Sequence, residues 1–301
     1  MSRKPDFIIV PGAWHSPDAF DPTSTFLRKA GYEVHGVDLP SYGADPPLKS
    51  FDPDVLAVQN VINKVLSSGK DVIMIYHSSG GMAGSEALKE YVNEVGTDKS
   101  GKQGWGRVRR LVYVTAFALP EGASLMSGLG FKPLPWFEID GDAVFPANPK
   151  EIFYNDLSDS QAAPLIAAIK QHSYLTYAST LTVAPWKTIP STFIKCEKDN
   201  AIPLPSVYLR AAFLLAVARL TGLIPVETYN RISNYDRGSK LPRPAYPTKP
   251  HPFVNSYTRF HIAQSTQAVS EHENTRNFRV QQGKKRRNKF AQKISISPFH
   301  K

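Results

Sequence analysis

Short runs of β-branched and aromatic residues alternate along this chain with segments whose apolar positions recur every three or four residues, and the alternation begins almost at once. Phe7-Ile8-Ile9-Val10 predicts a strand, and Phe20 to Ala30 a helix. Tyr32 to Leu39 predicts a second strand, ended by Pro40 and Gly43. From Asp52 to Leu66, Val55, Val58, Val61, Ile62 and Val65 fall at helical spacing behind an Asp-Pro start. Asp71-Val72-Ile73-Met74-Ile75-Tyr76 is almost continuously apolar, as a central parallel strand covered on both faces requires. Gly80 to Val95 then predicts a helix, Gly96 to Arg107 a loop, and Val108 to Ala116 another strand. Such alternation defines an α/β chain with a mostly parallel sheet flanked by helices.

Two stretches depart from the pattern. Leu119 to Trp186 holds Pro-rich connections and a helical segment near Ser160 to Gln171, and is expected to form a small cap over the sheet before Thr192 to Cys196 resumes it. After Pro205 the periodicity is lost: Val207 to Leu223 has helical character, but Leu241 to Pro252 holds five prolines and Gly283 to Lys289 is a basic run. The expected organisation is a catalytic-sized domain over 1–207, with its cap at about 119–186, followed by a divergent, irregular and partly disordered basic tail over 208–301.

Charge sharpens this division. The 301 residues carry 36 Lys+Arg against 26 Asp+Glu, a formal net charge of +10. Seventeen of the basic and four of the acidic residues lie from Tyr208 onward, so the front is near −3 and the tail near +13. Positive charge confined to the tail argues against a nucleic-acid partner for the front domain, and Lys284 to Arg287 reads most simply as a solvated run. The single cysteine, Cys196, excludes an intrachain disulfide framework and fits a cytoplasmic setting. No membrane-spanning segment is expected, since the longest apolar stretch after the first strands, Ala211 to Ala218, is far below the roughly 20 residues needed.

The chemistry gathers at the end of the third predicted strand. Tyr76-His77-Ser78-Ser79-Gly80-Gly81 leaves a buried strand and opens a helix. In that setting a tight turn can lift a serine hydroxyl above the sheet, and the helix N-terminus beside it favours developing negative charge. A serine that merely caps the helix is the alternative. Val10-Pro11-Gly12-Ala13-Trp14-His15, at the end of the first strand, is placed to bring a second backbone N–H toward Ser78.

These two segments resemble the α/β-hydrolase superfamily, in particular its small cofactor-independent members such as plant methylesterases, hydroxynitrile lyases and related fungal hydrolases. The likeness continues in order through Asp38-Leu39-Pro40-Ser41-Tyr42-Gly43, Leu111 to Phe117 and Ile189 to Asp199, to about Pro205. It implies Ser78 as nucleophile, the N–H groups of Ala13 and Ser79 as the oxyanion hole, and Asp199 as the triad acid; Asp199 and Glu197 are otherwise ordinary loop acids. Two positions depart from the family pattern, with Tyr76 replacing the first glycine of G-x-S-x-G and Pro11 replacing a histidine.

The resemblance requires a histidine after the acid, because a serine near its solution pKa needs a base. His251, His261, His272 and His300 follow Asp199, and His251-Pro252-Phe253 comes nearest to the family segment. His15 and His77 correspond to pocket-lining positions. The implied activity is hydrolysis of an ester, thioester or lactone of a small apolar molecule through an acyl-serine, without cofactor or metal, with secondary metabolism as the setting suggested by fungal relatives. A lyase on the same frame, or a non-catalytic ligand binder, remains open at this point.

Overall fold

A computed structural model describes residues 4–92, 104–196 and 198–202, together with the backbone of residues 227–229. Six strands form the main sheet: β1 (Asp6–Val10), β2 (Val34–Gly36), β3 (Val72–His77), β4 (Val108–Val114), β8 (Ser191–Ile194) and β9 (Glu227–Tyr229). They lie in the order β2-β1-β3-β4-β8-β9, and every pairing is parallel. Helices α1 (Asp21–Lys29), α2 (Asp52–Ser67) and α3 (Gly80–Glu86) cover its faces.

The side-chain alternation of a strand explains the unbroken apolar runs. Phe7 and Ile9 of β1, with Ile73 and Ile75 of β3, pack on one face against Phe20 and Leu27 of the α1 layer. Ile8, Val10, Met74 and Tyr76 point the other way and meet Val58, Ile62, Val65 and Leu66 of α2. Both faces are dry, so no polar alternation marks the strands.

Tyr76 shows how the missing first glycine of the elbow is accommodated. Its fully buried ring lies against Gly84 on α3, where a Cβ would stand 2.3 Å from the ring, and its hydroxyl donates to the Gly84 carbonyl at 3.1 Å. A bare position one turn into the helix has taken over the space usually made on the strand.

The structure corrects several element boundaries. Of the helix expected from Gly80 to Val95, the described residues, which reach residue 92, hold α3; beyond it they tighten into three-residue turns, with Leu88 N–H donating to Ser85 O and Tyr91 N–H to Leu88 O. Glu86, at the end of α3, accepts from both the N–H and the hydroxyl of Thr182. A larger correction concerns the end of the sheet, since no strand was expected past Cys196. β9 pairs with β8 through Thr192 with Glu227, Phe193 with Thr228 and Ile194 with Tyr229. Three residues are too few to show a period, which is why this edge strand escapes pattern reading. Residues 203–226 and 230–301, which hold the rest of the expected tail and the helical stretch Val207 to Leu223, lie outside the described residues.

The cap holds more strand than its sequence suggested. β5 (Phe137–Asp140), β6 (Ala143–Pro146) and β7 (His172–Ser173) form an antiparallel sheet, with α4 (Leu125–Gly128), α5 (Pro149–Phe153) and α6 (Asp159–Ala167) around it. The signal was present in Gly141-Asp142, the two-residue loop between Asp140 and Ala143, whose glycine has φ +56°. The Trp14 indole N–H donates to Val144 O at 2.8 Å and fastens this sheet to the loop after β1. No described helix is long and apolar enough to cross a membrane.

Candidate active site

Ser78 sits one residue past β3 with φ +48°, in the left-handed region that a side chain with a Cβ rarely adopts. Its carbonyl accepts from Gly81 N–H at 3.2 Å and from Phe117 N–H at 3.0 Å, and its N–H reaches Val114 O at 3.4 Å. These bonds, two of them from the β4 side, hold a conformation of about 1–3 kcal/mol strain. The helix must also start close against β1: a Cβ on Gly80 would lie 2.2 Å from the Pro11 carbonyl oxygen. The backbone of the elbow and the backbone of the Pro11 turn are thus in contact.

Ser78 opens onto a cleft of about 120 Å³ that is also lined by Ala13, His15, His77, Thr115 and Asp199. The structure therefore gathers Ser78, Asp199, Ala13, His15 and His77, all singled out from sequence, around one space, and Ser79 is the next residue along the elbow. The backbone N–H of Ser79 has no hydrogen-bond partner among the described residues. The Ala13 N–H does: it donates to the Ser79 hydroxyl at 2.7 Å. One donor is open, and the other is covered by an oxygen that a substrate oxyanion would have to displace.

Asp199 follows β8 and is held on both carboxylate oxygens. Oδ1 accepts from Ala201 N–H at 2.9 Å and Ile202 N–H at 3.1 Å, while Oδ2 accepts the Thr115 hydroxyl at 2.5 Å. Thr115, just beyond β4, has φ +41°, so a second strained residue aims its side chain at the acid. Sequence reading missed Thr115; its only mark was a polar residue directly after the apolar run Leu111 to Val114. The neighbouring Cys196 thiol is pushed up to about 12 by burial, then by the charges of Asp199 and Asp156, which leaves it inert as a nucleophile at neutral pH.

Neither nearby histidine is placed as a free base. His15 Nδ1 lies 2.8 Å from Ala13 O and Nε2 lies 2.8 Å from the Tyr154 hydroxyl. A carbonyl can only accept, so Nδ1 carries the hydrogen and Nε2 accepts from Tyr154. Burial lowers the His15 pKa, outweighing the opposing carbonyl bond, and the ring is neutral. His77 is lowered to about 3, by burial first and by His15 second, and its Nδ1 has no partner. His251, His261, His272, His300 and Glu197 all lie outside the described residues. Among the described residues no group of three or more His, Cys, Asp and Glu could hold a metal ion.

Next to the cleft a smaller chamber of about 30 Å³ is lined by Ser78, Leu125, Leu129, Trp136, Phe137 and Tyr177, among others. Of four aromatic side chains in the cap, Trp136 and Phe137 face this chamber, whereas Phe131 is 75% and Phe145 39% exposed.

A parallel sheet in this strand order, with a left-handed serine between its third strand and the following helix, is the architecture of an α/β-hydrolase. Residues 7–229 match the model of the Alpha/beta hydrolase family, and the chain belongs to that family. The match runs beyond Pro205, where the likeness had been expected to end, and stops with β9. The chain is 34% identical over 219 residues to an "Alpha/beta hydrolase nvfD" of Aspergillus novofumigatus, covering 69% of this chain and 83% of that protein. It is 29% identical over 96 residues to a "Methyl jasmonate esterase 1" of Vitis vinifera, covering 31% of this chain and 37% of that protein. Among solved structures, a methylesterase from Arabidopsis superposes with a TM-score of 0.53 at 17% identity, covering 71% of this chain and 85% of that one.

Proposed function

We propose that this chain is a serine esterase that cleaves an ester, thioester or lactone of a small, mostly apolar molecule through an acyl-serine intermediate. The observation that carries the reading is the left-handed backbone of Ser78 at the strand-to-helix junction, open to a cleft. Nothing in the strand or helix itself needs that strain; a projecting hydroxyl does. In this reading Ser78 attacks the carbonyl carbon, and the carbonyl oxygen becomes an oxyanion received by the N–H groups of Ser79 and Ala13. Each such donor contributes roughly 100- to 1,000-fold to turnover by precedent. Asp199, fixed by Thr115 and two backbone amides, orients the histidine that takes the serine proton and returns it to the leaving group. Water then attacks the acyl-serine and releases the acid.

The base falls to a histidine that follows Asp199 in the chain, with His251 as the residue assigned. His15 and His77 are set aside because the first has both nitrogens engaged and the second is held far below neutral pKa. The apolar lining of the inner chamber and the kinship with fungal and plant hydrolases support a small hydrophobic acyl group and a role in secondary metabolism. Labelling of the full chain by a fluorophosphonate probe, together with hydrolysis of p-nitrophenyl butanoate, tests the reading. Both signals are expected to vanish in Ser78→Ala, and persistence of either in that variant overturns it. Loss of hydrolysis in His251→Ala, with His261→Ala unaffected, tests the base.

A further inference from the structure

Behind Ser79 lies a third space, of about 20 Å³, whose lining includes Asp54, Ser79, Leu125, His172, Thr176 and Tyr177. Ser79, Leu125 and Tyr177 also line the inner chamber, which in turn reaches Ser78, so the three spaces run in series from the elbow inward. The innermost one differs in character from the chamber before it. Tyr177 is 3% exposed and its hydroxyl has no hydrogen-bond partner; His172 is likewise 3% exposed and its Nδ1 has none. The two rings stack, with centroids 5.2 Å apart and planes 24° from parallel.

Hydrogen positions on these groups follow from their neighbours. The Thr176 hydroxyl donates to Ser173 O at 2.6 Å, so at its 3.4 Å contact with His172 Nε2 it can only accept. Nε2 therefore carries the hydrogen, and Nδ1 presents a bare lone pair. Tyr177, whose ring stacks on His172 and lines the same space, supplies an unpartnered O–H donor. Asp54, also 3% exposed, already accepts the Ser41 N–H at 2.9 Å and adds a second acceptor at the same end. Two buried polar groups without partners each destabilise a fold, an arrangement natural proteins rarely keep without use. The unpartnered donor and the unpartnered acceptor around a space the size of a single oxygen atom are complementary to a hydroxyl, which can accept from Tyr177 and donate to His172.

The geometry points to a polar terminus of the acyl pocket, where Tyr177 and His172 select an acyl chain or ring that carries a hydroxyl group at the end remote from the ester. This inference rests on the reading of Ser78 as nucleophile and of the chamber beside it as the acyl site. It divides the substrate into three parts that match the series of spaces: a reacting carbonyl at the elbow, an apolar middle against Leu125, Trp136 and Phe137, and a hydroxylated end.

The test uses the full chain and p-nitrophenyl esters of medium-chain acids, each paired with its terminal-hydroxyl counterpart. For the chain length that spans the chamber, kcat/KM is expected to favour the hydroxylated ester by about 10-fold, the effect of one buried, otherwise unmade hydrogen bond. In Tyr177→Phe that ratio is expected to fall to about 1. A wild-type ratio near 1 at every length, or a preference that survives in Tyr177→Phe, overturns the inference and leaves the space as a seat for a resident water. Calorimetric binding of the corresponding methyl ester pairs to Ser78→Ala separates this from the catalytic reading. Preferential binding of the hydroxylated ester there stands even if Ser78→Ala still hydrolyses, whereas equal binding removes the polar terminus while leaving the nucleophile intact.

Discussion

Replacing Ser79 by alanine isolates the hydrogen bond that covers half of the proposed oxyanion hole. The Ala13 N–H donates to the Ser79 hydroxyl at 2.7 Å, and the hydroxyl makes no capping bond to α3, so the substitution removes this contact and little else. A neutral bond of this kind contributes about 1 kcal/mol net. Two effects follow in opposite directions. The folded state loses about 1 kcal/mol, which lowers the melting temperature by about 2–4 °C for a body of this size. The transition state gains, because an oxyanion no longer has to displace the hydroxyl before it meets the Ala13 N–H, and about 1 kcal/mol is worth roughly 5-fold in catalytic efficiency. Steady-state hydrolysis of p-nitrophenyl butanoate and a thermal melt of the same preparation measure both. Catalytic efficiency reduced by about 10-fold or more would refute the reasoning, since it would mean that the hydroxyl itself donates to the oxyanion rather than obstructing it.

Other expectations are as direct. Thr115→Val keeps the shape but removes the 2.5 Å bond to Asp199; kcat is expected to fall by about 10-fold with KM little changed, as loss of a charge-assisted bond to a positioning carboxylate predicts. Gly84→Ala places a Cβ 2.3 Å from the Tyr76 ring, and urea denaturation should show about 1–3 kcal/mol lost, with Tyr76→Leu in the same chain restoring part of it. His77 and His172 are both held neutral down to about pH 3, so between that value and 6.5 the unfolded chain binds protons that the folded one refuses. Stability is therefore expected to be full above pH 6.5 and to fall as pH drops below it, by up to about 1.4 kcal/mol per pH unit for each ring. Denaturant midpoints measured from pH 7 to pH 4 check this, and a flat profile would contradict the burial of both rings.

Much of the fold was legible because its core strands are buried on both faces. Phe7 to Val10 and Val72 to Tyr76 are apolar at every position, and their positions in the sequence fix the order of strand, helix and strand. The elbow was legible for a related reason: Gly80 and Gly81 follow two serines directly, and small residues at a strand-to-helix junction report that two backbones pass close together. What stayed hidden depends on contacts between distant segments. Nothing in Ser79 reveals that its hydroxyl lies on Ala13, and Thr115 reads as the end of a strand until Asp199 is seen beside it. β9 is too short to carry a period, and β7 has only two residues, so both owe their form to the strand they join. The cap hairpin is the instructive case, since the Gly141-Asp142 turn was readable and was masked by the surrounding prolines.

The indole of Trp14 ties two parts of the molecule that a hydrolase of this kind would otherwise be free to move separately. Trp14 follows Ala13 immediately, has φ +65°, and reaches into the cap to bond Val144 O while packing on Trp136, Phe137 and Phe153. Any swing of the cap sheet must therefore drag on the peptide that presents the Ala13 amide. Exchange of cap segments with a relative would therefore shift the Ala13 amide along with the cap, and only grafts that keep an acceptor carbonyl opposite the indole are expected to hold that amide in place.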